Sequence, residues 1–554
     1  MKTVSLKGFS GIDLRNVEEA SDPTTLRVGI NVDPTVGKGW QARSQLRLWT
    51  TLDSSSVGLY AVGGQLRSAV PFRIGSALPR PPAGVVYDYL NNRGANGYDA
   101  IAPLHVTAVS AWFSNPYIVV QRTGLTGGAP AYEHHYLGAS PVVFTSPAAA
   151  TASDTITLSE ALSAELMSAG IAGATVRFAG AVTVPTASFT VVSVTDSTHI
   201  IISSSVTLPA NTSLILYQPA KTKVSLPFEP GPAMIVHADR VWAGSLTDRT
   251  VPYSTTTDPT NWTDPEDAGF LSTATHLDGD QPINGLSVFR NQICVFYARN
   301  IQVWNTELRD PASFAMVDSV GGAGTKFPRS IANMMGDLMY FSEGGYRLLS
   351  AVITTGQVKD GDIGMPIQDL TRVLATRAPS SLVSLWSPSR AQYLCAAGSQ
   401  VFVLTNSPLA NLQQWSTYQL PWEVEALVEL NGQVYVRRAG TAEIYIFDPA
   451  ATGESGFSWR VRHPFHDYPI GAGGQQYFKQ FKFITLRHVG QAALTLYTDG
   501  DLTAPLGNID VDSAEISSLI PLHVVGNTLS LEFSGTGPYR LDEVLVRFDV
   551  GNLL

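Results

Sequence analysis

Apolar and polar residues alternate along much of this chain in short runs, and pairs of runs are separated by two polar or glycine positions. Alternation with period two sends every second side chain to one face of a sheet, and a two-residue break between such runs marks a hairpin. The breaks fall at Gly63-Gly64, Asn115-Pro116, Ala238-Asp239, Arg290-Asn291, Gly336-Asp337, Ser389-Arg390 and Asn431-Gly432. Their strands include "GLYAV", "RVWAGS", "NGLSVF" with "ICVFYA", "LMYFS", "YLCAA" and "EALVEL" with "QVYVRR". Successive breaks lie about 40 to 50 residues apart, the length of a propeller blade repeat. The pattern therefore predicts an all-β chain built on a β-propeller with about seven blade candidates. One interval, from Asn115 to Asp239, is more than twice as long as the others, and an inserted domain accounts for the excess.

The insertion is placed at residues 137–220, where only five charged residues occur (Asp154, Glu160, Glu165, Arg177, Asp196) among many Ser, Thr, Ala and Val. Strand-like runs "DTITL", "ATVRFAG", "SFTVVSV", "HIIISS" and "SLILYQ" surround one helical stretch, "SEALSAELMSAG". Ser159 is suited to cap that helix and Gly170 to end it. After "IFDPAATGESG" the runs lengthen into "QFKFITLRHVG", "ALTLYTDGD", "NTLSLEFSGTG" and "RLDEVLVRFDV", the pattern of a β-sandwich. The expected organisation is thus 1–136, N-terminal segment and first blades; 137–220, small β-domain with one short helix; 221–452, remaining blades; 453–554, C-terminal β-sandwich. Trp40, Leu46 and Leu48 are expected to pack on the first blade, and the Pro-rich stretch at 71–84 to form a surface loop.

Composition narrows the function classes. The 554 residues include 48 Gly and 34 Pro, which suits short strands and frequent turns. Charged residues make up 15% and hydrophobic ones 44%, a balance expected of surface hidden in an assembly. A net charge of −10 gives the chain no electrostatic footprint for gripping nucleic acid. Cys294 and Cys395 fall in apolar strand runs and read as buried thiols, not a disulfide framework. No N-terminal secretory pattern and no apolar run long enough to span a bilayer is present, so synthesis in a cytoplasm is expected and no membrane span.

Several clusters carry candidate chemistry. "DGD" occurs at Asp278–Asp280, Asp360–Asp362 and Asp499–Asp501. Paired carboxylates bind Ca²⁺ or act as acid and base where they converge, but these lack the full spacing of a calcium loop, and a hairpin-turn role is the simpler reading. Glu133, His134 and His135 lie between Tyr132 and Tyr136; adjacent strand residues face opposite ways, so the two imidazoles do not readily share a metal. His463, His466 and Asp467 form a second group, read as a domain-joining loop or subunit contact. "GGAGTK" at Gly321–Lys326 lacks the Gly-Lys-Ser/Thr order of a phosphate loop and reads as a blade junction. Asn261-Trp262-Thr263 is a glycosylation sequon without consequence in a protein that is not secreted. Trp242, Trp304, Trp386 and Trp415 read as core and interface anchors. No catalytic, metal or cofactor motif is recognised, and no enzyme activity and no cofactor are expected.

Three stretches, "DRVWAGSLTDRTVPYSTTTDPTNW" (239–262), "DGDQPINGLSVFRNQICVFYARNIQVW" (278–304) and "VGGAGTKFPRSIANMMGDLMYFSEGGYRLL" (320–349), resemble the tail nozzle, or tail tubular, proteins of short-tailed bacteriophages. The N-terminal "FSGIDLRN" with "NVDPTVGKGWQARSQLRLW" and the C-terminal runs are similar to the ends of such proteins. The Ser/Thr-rich domain at 137–220 departs from the pattern. The resemblance implies a structural virion protein in a ring, usually a hexamer, below the head-to-tail adaptor protein, in contact with tail fibres or spikes, through whose lumen the genomic DNA leaves without specific binding. The alternative is a propeller glycoside hydrolase or lyase using Asp280, Asp362 or Glu343, or a non-catalytic carbohydrate-binding tail module, acting on host polysaccharide.

Overall fold

Seven small antiparallel-rich sheets, an inserted six-stranded sheet and a terminal sandwich account for the strands of this mostly β chain. The computed structural model describes residues 1–550 except 7–8, 17–21, 36–38, 73–80, 92–102, 123–130, 138–140, 163–173, 180–188, 218–221, 274–280, 308–309, 356–361, 408–411, 468–477 and 513–516. Most of the expected loop at 71–84 and of the helix ending at Gly170 lies outside the described residues.

Sheet 1 holds Val57–Val62, Gln65–Phe72 and Val85–Asn91; sheet 2 holds Pro103–Trp112, Asn115–Arg122, Ala131–Tyr136 and Thr222–Lys223. Sheet 3 comprises Pro230–His237, Arg240–Ser245, Val251–Tyr253 and Gly269–Leu271, and sheet 4 Gly285–Phe289, Gln292–Phe296, Asn300–Asn305 and Ala315–Gly321. Sheet 5 is Ala332–Met334, Asp337–Ser342 and Gly345–Leu348; sheet 6 is Leu382–Ser387, Gln392–Ala397, Gln400–Ser407 and Leu412–Gln419. Sheet 7 takes Val424–Leu430, Gln433–Arg438 and Glu443–Asp448, then the early strand Gln45–Thr51 as its fourth. Each of the seven is an open sheet.

Both faces of the middle strands are buried, because apolar cores lie between neighbouring sheets. Tyr60 and Ile118 meet between sheets 1 and 2, Tyr117 and Val241 between 2 and 3, and Trp242 and Ile293 between 3 and 4. Phe296 with Tyr340, Tyr346 with Phe402, Val403 with Val436, and Val428 with Leu59 continue the series through sheets 5, 6 and 7 and back to sheet 1. First strands of neighbouring sheets also touch, Val424–Leu430 lying against Val57–Val62.

Tight turns follow the expected hairpins, with two displaced and one longer. Ala238 and Asp239 (φ 50°, 59°) and Arg290 and Asn291 (φ 49°, 61°) have the two successive left-handed residues of a type I′ turn. The turn expected at Asn115-Pro116 sits at Phe113-Ser114 (φ 45°, 69°), because Asn115 and Pro116 already pair with Trp112 and Ala111. Met335-Gly336 replaces Gly336-Asp337, since Asp337 pairs with Met334. Around Ser389-Arg390 the turn is longer, closing from Ala391 N to the Pro388 carbonyl.

The insertion interrupts sheet 2 between its third and fourth strands. Its own sheet runs in the order Pro141–Ser146, Thr212–Tyr217, Thr175–Ala179, Phe189–Asp196, His199–Leu208, Ala150–Thr157, around a core of Ile156, Val176, Val191, Ile200, Leu214 and Leu216.

Past residue 453 two sheets face each other. One contains Val32–Pro34, Trp40–Ala42, Tyr539–Val550, Lys479–Gly490 and Ser517–Gly526, with Lys2–Leu6 added on Tyr539–Val550. The other contains Val28–Ile30, Trp459–Arg462, Leu529–Gly535, Ala492–Thr498 and Gly507–Val511, and joins sheet 6 through the parallel bridge Ile30–Thr417. The earliest strands thus lie with the last ones. Trp40, expected on the first blade, is instead buried beside Trp459, Phe533 and Tyr539, where its ring has aromatic partners at 5.5 to 5.9 Å. Leu46 packs between sheets 6 and 7 and Leu48 is exposed, because Gln45–Thr51 is the outer strand of sheet 7.

Trp459 stacks on Tyr539 at 5.0 Å and fills the space above Gly535, where an added Cβ would stand 2.6 Å from Trp459 Cζ2. Gly535→Ala is accordingly expected to destabilise the fold by about 1–3 kcal/mol through overpacking. Urea denaturation checks this; an unchanged midpoint contradicts it.

Candidate functional site

The carboxylates that a hydrolase would use do not form one described pocket. Asp278–Asp280, Asp360 and Gly361 lie outside the described residues. Asp362 Oδ1 accepts from Gly364 N at 2.9 Å; burial raises its pKa and the neighbouring Arg347 opposes the rise. Glu343 is exposed in the turn between two strands of sheet 5. In the sandwich, Asp499 Oδ1 accepts from Asn527 N at 2.7 Å and Thr528 N at 3.0 Å, while Asp501 Oδ1 accepts from Thr503 N at 2.8 Å. These carboxylates organise turns, as the sequence reading favoured.

The histidines are separated by strand geometry. His134 is buried with its ring 5.6 Å from Tyr117 and 6.4 Å from Trp262, whereas His135 Nε2 lies 3.5 Å from Glu133 Oε2. Glu133 is engaged by Arg122. His463 is buried against Phe9 at 5.0 Å, and His466 pairs through its backbone with Leu529 near Asp467. Among the described residues no group of three His, Cys, Asp or Glu side chains is arranged to hold a metal.

Burial pushes His134 down to about 3, with His135 adding to the effect, and His463 down to about 4, partly offset by backbone groups of Pro23 and Thr25. Both are neutral when folded and protonate near 6.5 when unfolded, so the unfolded state binds more protons below that pH. Stability is expected to be full above about pH 6.5 and to fall as pH drops toward 4, by about 2 kcal/mol per histidine at pH 5. Urea titrations at pH 7 and 5 test this, and the pH dependence should shrink in His463→Gln; equal stability at both pH values contradicts it.

The remaining motifs are structural. Thr325 Oγ1 donates to the Phe341 carbonyl at 2.6 Å, Lys326 Nζ donates to the Ala375 carbonyl, and an added Cβ on Gly324 would meet Tyr297 O at 2.3 Å. Only the one-turn 3-10 helix Pro328–Ser330 follows Gly321–Lys326, not the α-helix of a phosphate loop. Trp242 and Trp415 are buried, each donating its indole N–H to a backbone carbonyl at 2.9 Å, and Trp304 is buried too. Trp386 is partly buried against the core of sheets 5 and 6. Asn261 Oδ1 accepts from Thr263 N at 3.2 Å, and Trp262 is buried between them. Burial raises the Cys294 thiol pKa and lifts Cys395 to about 11, so both are inert thiols.

One concave feature is a cavity of about 510 Å³ lined by the first strands of sheets 1, 2, 3, 4, 6 and 7 and by the Pro328–Ile331 lead into sheet 5. Leu59, Val106, Ile235, Leu286, Val383 and Leu427 line it together with the polar residues Thr107, Ser110, Arg329, Ser384 and Glu429. A second cavity of about 400 Å³ adjoins it, sharing Arg329 and Val383 and adding His105, Arg377, Ser380, Glu423 and Glu425. Glu425 fastens the last sheet to the first: Oε1 accepts from Gly58 N and Oε2 from Arg437 Nε, each at 2.9 Å. Arg437 also donates to the Ser56 and Gly58 carbonyls at 2.5 and 3.2 Å. Sequence reasoning missed Arg329, Glu425 and Arg437, because they stand in no motif and meet across different hairpins.

No family model and no curated protein matches the chain. Among solved structures it is similar to the computationally designed Ika8 protein (12% identity, 73% of this chain and 100% of that one, TM-score 0.34). It is also similar to BamB from Moraxella catarrhalis (9%, 72% and 97%, 0.31) and to the WD40 β-propeller domain of Doa1 (12%, 62% and 92%, 0.27). Exo-β-1,3-galactanase from Phanerochaete chrysosporium aligns at 12% identity over 57% of this chain and 95% of its own, with a TM-score of 0.21. Likenesses this distant carry no functional argument.

Proposed function

We propose that sheets 1 to 7 are the blades of a β-propeller closed by the early strand Gln45–Thr51, and that the chain is a structural subunit of a short-tailed phage tail nozzle. The observation that supports the propeller reading is one cavity bordered by the first strands of six of the sheets and by the lead into sheet 5. The ordered sequence resemblance supports the nozzle role, and the dispersal of the described carboxylates into turns is in keeping with a scaffold.

The size of the cavity bears on where DNA would pass in such an assembly. A duplex is wider than its major groove of about 12 Å and rises about 34 Å per turn, so one turn needs on the order of 4,000 Å³. A cavity of about 510 Å³ cannot admit it. DNA therefore runs through the space enclosed by a ring of subunits, where a chain of net charge −10 keeps nonspecific attraction low. The head-to-tail adaptor forms the upper contact of that ring and tail fibres or spikes the lateral one.

Light scattering on the full chain mixed with its adaptor tests the assembly role. A complex with the mass of about six copies on one adaptor ring is expected; a monomer that never joins the adaptor contradicts it.

A further inference from the structure

The channel between the seven sheets holds a charged group that no role described above uses. Arg329 stands on the short turn Pro328–Ser330 leading into sheet 5, and its side chain lines both the 510 Å³ and the 400 Å³ cavity. Among the described residues its side chain makes one hydrogen bond, from Nη2 to the Glu425 carbonyl oxygen at 2.6 Å, and no carboxylate oxygen lies within 4.0 Å. The nearby Glu425 carboxylate is committed to Gly58 N and Arg437. A guanidinium carries five N–H donors and stays charged in proteins, so donors remain for a ligand beyond this one protein acceptor. Burial lowers its pKa, with Glu425 opposing the shift. A second arginine, the exposed Arg377, and Ser380, Ser381 and Glu423 border the same 400 Å³ space.

We propose that this mouth of the channel is a binding site for a small oxyanion, a carboxylate or phosphate group, received by Arg329 with Arg377 in support. The planar fork of a guanidinium matches both groups in bidentate fashion. A space of about 400 Å³ falls within the range of small-molecule sites and exceeds what a bare ion needs. Glu423 on the wall selects against a ligand with charge on every side and favours one bearing hydroxyl or amine groups beside its acid. The site does not depend on the nozzle role, and its test reads ligand binding by the single chain.

Thermal unfolding and calorimetric titration of the full chain are followed with citrate and, separately, inorganic phosphate, at ionic strength held constant with sodium chloride. A saturable rise in midpoint above the chloride control is expected with at least one probe, and the probe that acts identifies the group. Arg329→Gln should abolish the rise and Arg377→Gln should weaken binding about tenfold, while Arg487→Gln, on the sandwich, should leave it intact. Arg377 is exposed, so its variant keeps the test decisive if Arg329→Gln does not fold. The same rise in wild type and in Arg377→Gln, or no rise beyond chloride with either probe, overturns the proposal.

Discussion

Glu454→Ala is expected to destabilise the protein by about 3–5 kcal/mol, the cost of stranding a buried charge. Arg43 and Glu454 are both buried, with Nη2–Oε1 at 2.6 Å and Nη1–Oε2 at 2.9 Å. Glu454 Oε2 also accepts from Leu46 N at 2.6 Å, and the Arg43 guanidinium lies 4.9 Å from the Phe457 ring. One carboxylate therefore fixes the point at which the chain leaves the sandwich and enters sheet 7 as its fourth strand. Its loss leaves a guanidinium without a counter-ion and a backbone N–H without that acceptor. Glu454→Gln keeps the shape and removes the charge, so a smaller loss is expected. Urea denaturation measures both; a loss under 1 kcal/mol for Glu454→Ala would contradict the role of this pair.

Arg437→Ala should cost about 3 kcal/mol or more, at the junction of sheet 7 with sheet 1. Its bonds to Glu425, to Ser56 and to the Gly58 carbonyl tie sheet 7 to sheet 1. Limited proteolysis should then cut near the Ser54–Ser56 turn faster than in the wild type. Unchanged stability and cleavage would mean that the seam is held by the apolar core of Leu59, Val428 and Ile444 alone. Because the two ion pairs share no partner, the effects of the two variants are expected to add.

The hairpins were legible because alternation and two-residue turns are local, and the long interval marked the insertion for the same reason. Pairing between distant segments was not. Gln45–Thr51 has the alternation of any strand, and nothing local says that it completes a sheet whose other strands begin at Val424. Trp40 was recognised as a core residue but assigned to the wrong core, since an apolar ring does not specify its partner. The turn at Phe113-Ser114 was misplaced by the Asn-Pro pair after it, which has turn composition but strand pairing. Among the functional candidates, strand periodicity correctly separated His134 from His135. Arg329 escaped notice because an isolated arginine becomes informative only when its partners, and the cavities beside it, are known.

Electron microscopy of the protein on its particle tests the central claim most directly. The account predicts a ring, sixfold in the first instance, below the adaptor, with one seven-bladed disc per subunit and the DNA path in the space between subunits. A particle whose tail lacks this chain, or a map in which DNA threads the axis of a single subunit, would contradict it.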